Sequence, residues 1–126
     1  MSILKAFTGH FMEFVADINV VFPQDTDLRT CKIFLEQLIK INPKSVIRCW
    51  KESVNDLYSK QILSGDLDYF INKDYNKDLD GTSSKGKMLN TIDTFRAKIK
   101  NMGDTNKQSS IKYVQNLTKL CNMYYQ

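Results

Sequence analysis

The chain has 126 residues, 42% of them hydrophobic and 25% charged, with a formal net charge of +4. That length suits one domain able to bury a core without disulfide or metal staples, and the composition excludes wholesale disorder and fibrous repeats. Apolar runs such as residues 18–22 fall far short of the ~20 residues of a membrane-spanning helix, so no membrane span is expected. Thr8, Gly9, His10 and Glu13 interrupt the first apolar stretch, and no secretory signal is read there.

The predicted elements are all helical. Leu4, Phe7, Phe11, Phe14, Ile18 and Val21 recur at steps of three and four residues, the spacing that lines one face of a helix. Phe22-Pro23 ends that helix, because proline lacks the N–H and restricts the residue before it. Asp25 or Thr26 then caps a second helix bearing Leu28, Cys31, Phe34, Leu35, Leu38 and Ile41, with Asp27 complementing its dipole. Asn42-Pro43 reads as an N-cap followed by proline at the first helical position. The third helix it opens carries Val46, Ile47, Trp50, Val54, Leu57, Tyr58 and Ile62 on one side and stops at Ser64-Gly65.

Residues 66–75 are expected to add a short helical segment with Leu67, Phe70 and Ile71 facing inward, and residues 76–86 have loop composition throughout. Met88, Ile92, Phe95, Ile99 and Met102 mark a fourth long helix that Gly103 ends. A Thr105-to-Gln108 capping box starts the last, which carries Ile111, Val114, Leu117, Leu120, Cys121 and Tyr124. Neither strand alternation nor an internal repeat breaks this series. The expected fold is all-α, with residues 1–126 forming a single compact bundle of about five helices and a loop near 76–86.

Several motifs approach a chemistry and then lack a residue it requires. Residues 81–88 have the glycine and lysine spacing of a phosphate-cradling loop, but Met88 occupies the position whose hydroxyl would hold magnesium, and an acidic segment precedes it instead of a buried strand. Asn76, Asp78, Asp80 and Gly81 fall at positions one, three, five and six of a calcium loop. Lys87 stands where the bidentate glutamate should close that loop. His10 is the only histidine, so no histidine-based metal cluster is expected, and no nucleophile–base pair stands out. Cys31, Cys49 and Cys121 are odd in number, far apart and set in helical apolar patterns, which suits reduced core thiols. Asn116-Leu117-Thr118 matches a glycosylation sequon, but inside a helical pattern and without an export signal it is set aside. No cofactor, metal or catalysis is expected.

The charge is uneven along the chain. Residues 1–80 carry ten Lys/Arg against twelve Asp/Glu, and residues 81–126 carry eight against two. Those eight, Lys85, Lys87, Arg96, Lys98, Lys100, Lys107, Lys112 and Lys119, are interleaved with Phe95, Tyr113, Tyr124 and Tyr125. Such a mixture can contact phosphates and stack bases, and it forms the candidate surface for nucleic acid or another partner. Phe95 belongs to the core stripe, and arginine is scarce for base readout. Protein partners bound through exposed helix faces are therefore the leading expectation, with nucleic acid as the alternative.

Phe22-Pro23 before an acidic cap, Ile41-Asn42-Pro43, Trp50, Gly65-Asp66, Tyr69-Phe70, Lys73-Asp74-Tyr75 and Tyr113-x-x-Asn116-Leu117-x-Lys119-Leu120 follow one another along most of the chain, residues 76–87 excepted. In that order they resemble a short-protein family of large nucleocytoplasmic DNA viruses, of the phycodnavirus and mimivirus kind. The resemblance implies a viral source and brings no catalytic residues with it. Within that setting the resemblance leaves open a minor component of the capsid or inner virion layer, a small factor bound to viral DNA or RNA, and an interactor with host machinery. Binding surfaces without an active site favour the first, a protein that binds other viral proteins and is located in the virion and, during infection, in the host cytoplasm.

Overall fold

The computed structural model describes residues 2–66, 68–72 and 84–126, with the backbone alone at residues 69, 84 and 85. Among these residues there is no strand. The elements in chain order are α1 (Ile3–Val21), α2 (Thr26–Ile41), α3 (Pro43–Trp50), a π-helical turn (Lys51–Asn55), α4 (Asp56–Leu63), α5 (Asp68–Ile71), α6 (Ser84–Lys100) and α7 (Asp104–Tyr124). Because α3, the π-turn and α4 run on without a break, the long elements are five rods, α1, α2, α3–α4, α6 and α7, packed as a compact all-α bundle.

Local chemistry sets most of the ends. Ser2 caps α1 by accepting from the Lys5 N–H at 3.3 Å, and Asp25, not Thr26, caps α2 by accepting from the Leu28 N–H at 3.1 Å. At the end of α4, Gly65 takes φ +91°. That left-handed step lets the Asp66 N–H reach the Gln61 carbonyl at 2.9 Å and the Gly65 N–H the Ile62 carbonyl at 3.0 Å, the paired bonds of a Schellman ending.

Three expectations about ends are corrected. Pro43 does open α3, but the Asn42 side chain makes no capping bond. The capping box at Thr105 and Gln108 does not form: α7 starts two residues earlier than that box implies, at Asp104, with Gly103 as an N-cap that has no side chain to offer. Helix α6 begins at Ser84, so residues 84–86 of the expected loop are helical, while residues 73–83, including the calcium-like positions, lie outside the described residues.

The core is built around the aromatic stripe of α1. Phe7, Phe11 and Phe14 are at most 1% exposed, and Trp50 meets Phe7 and Phe11 edge-on at 6.2 and 5.4 Å between ring centroids, the arrangement aromatic quadrupoles favour. Phe95 of α6 closes on Phe11 and Phe14 at 6.0 and 6.1 Å, and Phe70 of α5 reaches Trp50 at 6.2 Å. One short helical turn therefore joins the same aromatic cluster as three long rods.

The π-turn was not legible in the sequence, and it changes which residues face the core. A π-turn acts as one extra residue inserted into an α-helix, so every position beyond it is displaced by one step, about 100° around the axis. Leu57, expected inward, is 52% exposed, whereas Ile62 is buried as expected. Ile41 is likewise turned out at the end of α2, 83% exposed.

Candidate functional site

The eight basic candidates do not form one surface. Arg96 is 2% exposed. Its guanidinium pairs with Asp93 at 2.7 Å, reaches the carbonyl of Ser53 in the π-turn at 3.5 Å, and lies 4.6 Å over the Phe70 ring and 5.8 Å over Tyr58. This corrects its assignment as a partner-contact residue: an arginine enclosed by two rings, a carboxylate and a backbone carbonyl braces α5, α6 and the π-turn, and no phosphate can reach it. Lys98 is also engaged, forming an ion pair with Asp25 at the start of α2 and lying 5.7 Å over the Phe22 ring. The ammonium beside Asp25, together with the Leu28 N–H, holds that carboxyl below the usual carboxylate range.

The remaining candidates are dispersed. Lys112 and Lys119 are exposed on the outer face of α7, seven residues apart, whereas Lys107 is half-buried and Lys100 is exposed near the end of α6. The side chain of Lys85 is outside the described residues. Lys87 lines a concavity. Helices α2 and α6 flank an open groove of about 420 Å³ walled by Thr30, Cys31, Ile33, Phe34 and Gln37 on one side and Lys87, Asn90, Thr91 and Thr94 on the other.

The groove has an apolar strip edged by hydrogen-bonding groups. Ile33 is 50% exposed, Phe34 and Cys31 are half-buried, and the amides of Gln37 and Asn90 offer donors and acceptors at the edge. Burial pushes the Cys31 thiol up despite the nearby hydroxyls of Thr91 and Thr94, so it is a protonated wall residue and not an activated nucleophile. The groove exists because α2 turns Leu28, Leu35 and Leu38 into the core while α6 turns Met88, Ile92, Phe95 and Ile99, leaving the adjoining faces of both helices only partly covered.

A second cluster joins α1 to α7. Tyr113 donates to Asp17 at 2.7 Å, and its ring stacks on Phe14 at 5.2 Å and lies tilted against the His10 imidazole at 4.7 Å. His10 Nδ1 is 3.7 Å from Glu13, and its Nε2 is buried with no hydrogen-bond partner. Among the described residues no serine or cysteine is hydrogen-bonded to His10, and no group of three or more His, Cys, Asp or Glu side chains is placed to hold a metal ion. Nor is any described helix long and apolar enough to cross a membrane.

Comparison of the chain with protein-family models, curated proteins and solved structures gave no match.

Proposed function

We propose that the protein is a helical interaction module of a large DNA virus, a minor capsid or inner-virion component that seats a segment of another viral protein in the α2–α6 groove. The observation that carries this reading is the groove itself, an apolar strip of Ile33, Phe34 and Cys31 edged by Gln37, Asn90 and Lys87. Such a surface fits a peptide that offers apolar side chains and needs its polar groups satisfied at the rim. From Thr30 to Gln37 it spans two helical turns, about 10 Å, enough for one or two anchoring side chains. The dispersal of the C-terminal cations supports a protein partner over nucleic acid for the surface expected from the sequence. The viral setting rests on the resemblance.

Photocrosslinking in infected cells tests both parts. With a photoreactive amino acid at Gln37, one viral protein should be captured and the adduct found by mass spectrometry in purified particles. The same group at Gln108, on the outer face of α7, should capture none. Absence of the chain from particles overturns the virion assignment, and equal capture from both positions overturns the groove.

A further inference from the structure

Counting charge along the chain hides a basic strip that runs along α3 into the start of the π-turn. Lys44, Arg48 and Lys51 stand at i, i+4 and i+7, opposite the buried Val46, Ile47 and Trp50, and helical rise spaces them about 6 and 4.5 Å apart. Lys44 and Arg48 are exposed, and among the described residues no carboxylate lies within ion-pair distance of either. Lys51 differs, because Asp56 sits 3.1 Å from its ammonium.

The far end of the chain supplies an aromatic ring to the same strip. The end of α7 packs on the π-turn and touches α3 where the Cys121 thiol lies 3.8 Å from the Ile47 carbonyl. Tyr125, 40% exposed, places its ring 5.5 Å from Lys51 Nζ, its hydroxyl beside Arg48 and its edge against Tyr124 at 5.0 Å. An exposed ring bracketed by cations is what an unpaired base with its phosphates would use.

We infer that this strip binds single-stranded nucleic acid, Lys44 and Arg48 neutralising backbone phosphates and Tyr125 stacking on a base. An acidic peptide would use the cations and leave the ring idle. An anionic membrane would require a free apolar face, and that of α3 is buried in the core. The strip shares no residue with the α2–α6 groove, so the two readings stand or fall separately.

The test is fluorescence anisotropy of a labelled oligothymidylate with the full chain. With about two phosphates neutralised, affinity should fall about sevenfold between 50 and 200 mM salt. Joint replacement Lys44→Ala and Arg48→Ala should weaken binding about tenfold or more, and Tyr125→Ala about fivefold, while Tyr125→Phe should bind as the parent does. Asp56→Asn, by releasing Lys51, should strengthen it. Joint replacement Lys112→Ala and Lys119→Ala should change nothing, and all these side chains are exposed enough for the fold to be kept, which far-UV circular dichroism verifies. The inference is overturned by no binding at 50 mM salt, by an equal loss in the α7 pair, by Tyr125→Ala binding unchanged, or by tighter binding to oligoglutamate or to phosphatidylserine vesicles than to the oligonucleotide.

Discussion

Tyr113 of α7 donates its phenolic hydrogen to Asp17 of α1 across 2.7 Å, and the stability this contact adds is lost at strongly alkaline pH. The hydrogen bond to Asp17, followed by burial and the repulsion of its carboxylate, raises the phenol from its ordinary 10.0 to about 12. Since the folded value lies above the unfolded one, the contribution is fully present below pH 10 and is lost as pH rises toward 12. Tyr113→Phe keeps the ring against Phe14 and removes only the hydroxyl, so it should cost about 1 kcal/mol at pH 7. Urea unfolding of both proteins at pH 7, 9 and 11 should give a constant difference up to pH 9 and a smaller one at 11. A difference that does not change with pH would show that Asp17 does not perturb the phenol.

Replacing Arg96 by Met should destabilise the protein by about 3 kcal/mol. The change strands Asp93, 23% exposed, and removes the donor that meets the Ser53 carbonyl in the π-turn. Arg96→Lys should recover only part of the loss, because an ammonium lacks the flat guanidinium that lies over Phe70. Chemical denaturation measures both variants, and a loss under about 1 kcal/mol in the Met variant would remove Arg96 from the role of brace.

Asn55 ties the end of the π-turn to α7, donating to the Thr118 carbonyl at 3.2 Å and to the Asn122 side-chain oxygen at 2.8 Å. Both bonds use its amide hydrogens, so Asn55→Ala should cost about 1–3 kcal/mol. Asn55→Asp should cost more at pH 7, since it puts a carboxylate against two acceptors in a site 7% exposed. If the Asp variant proves the more stable of the two, the assigned orientation of the amide is reversed.

Thiol labelling should separate the three cysteines. Cys31 borders the open groove, whereas Cys49 and Cys121 are buried, and burial lifts the Cys121 thiol to about 12. One thiol should react in the native protein, more slowly than a free cysteine because the Cys31 thiol is also raised. All three should react in urea. Native labelling that survives Cys31→Ser would place a different thiol at the surface.

The helical stripes were readable one segment at a time. Phe7, Phe11, Phe14 and Ile18 of α1, and Met88, Ile92, Phe95 and Ile99 of α6, are buried as their spacing predicts, because the helical period depends only on neighbours along the chain. Proline at Pro43 and glycine at Gly65 marked ends for the same local reason. Arg96 looked like any other cation in a basic stretch, since the Ser53 carbonyl that receives it is 43 residues away and Phe70 enters from another helix. The α3 strip was hidden in a stretch that is acidic on average, because a sum along the sequence ignores which side of the helix each charge occupies, and Tyr125 joins it only when α7 packs on the π-turn and touches α3. The π-turn likewise meets partners from distant parts of the chain, its Ser53 carbonyl receiving Arg96 and its Asn55 donating to the Thr118 carbonyl of α7, and no period in the segment itself marks the extra residue that turns Leu57 to the surface.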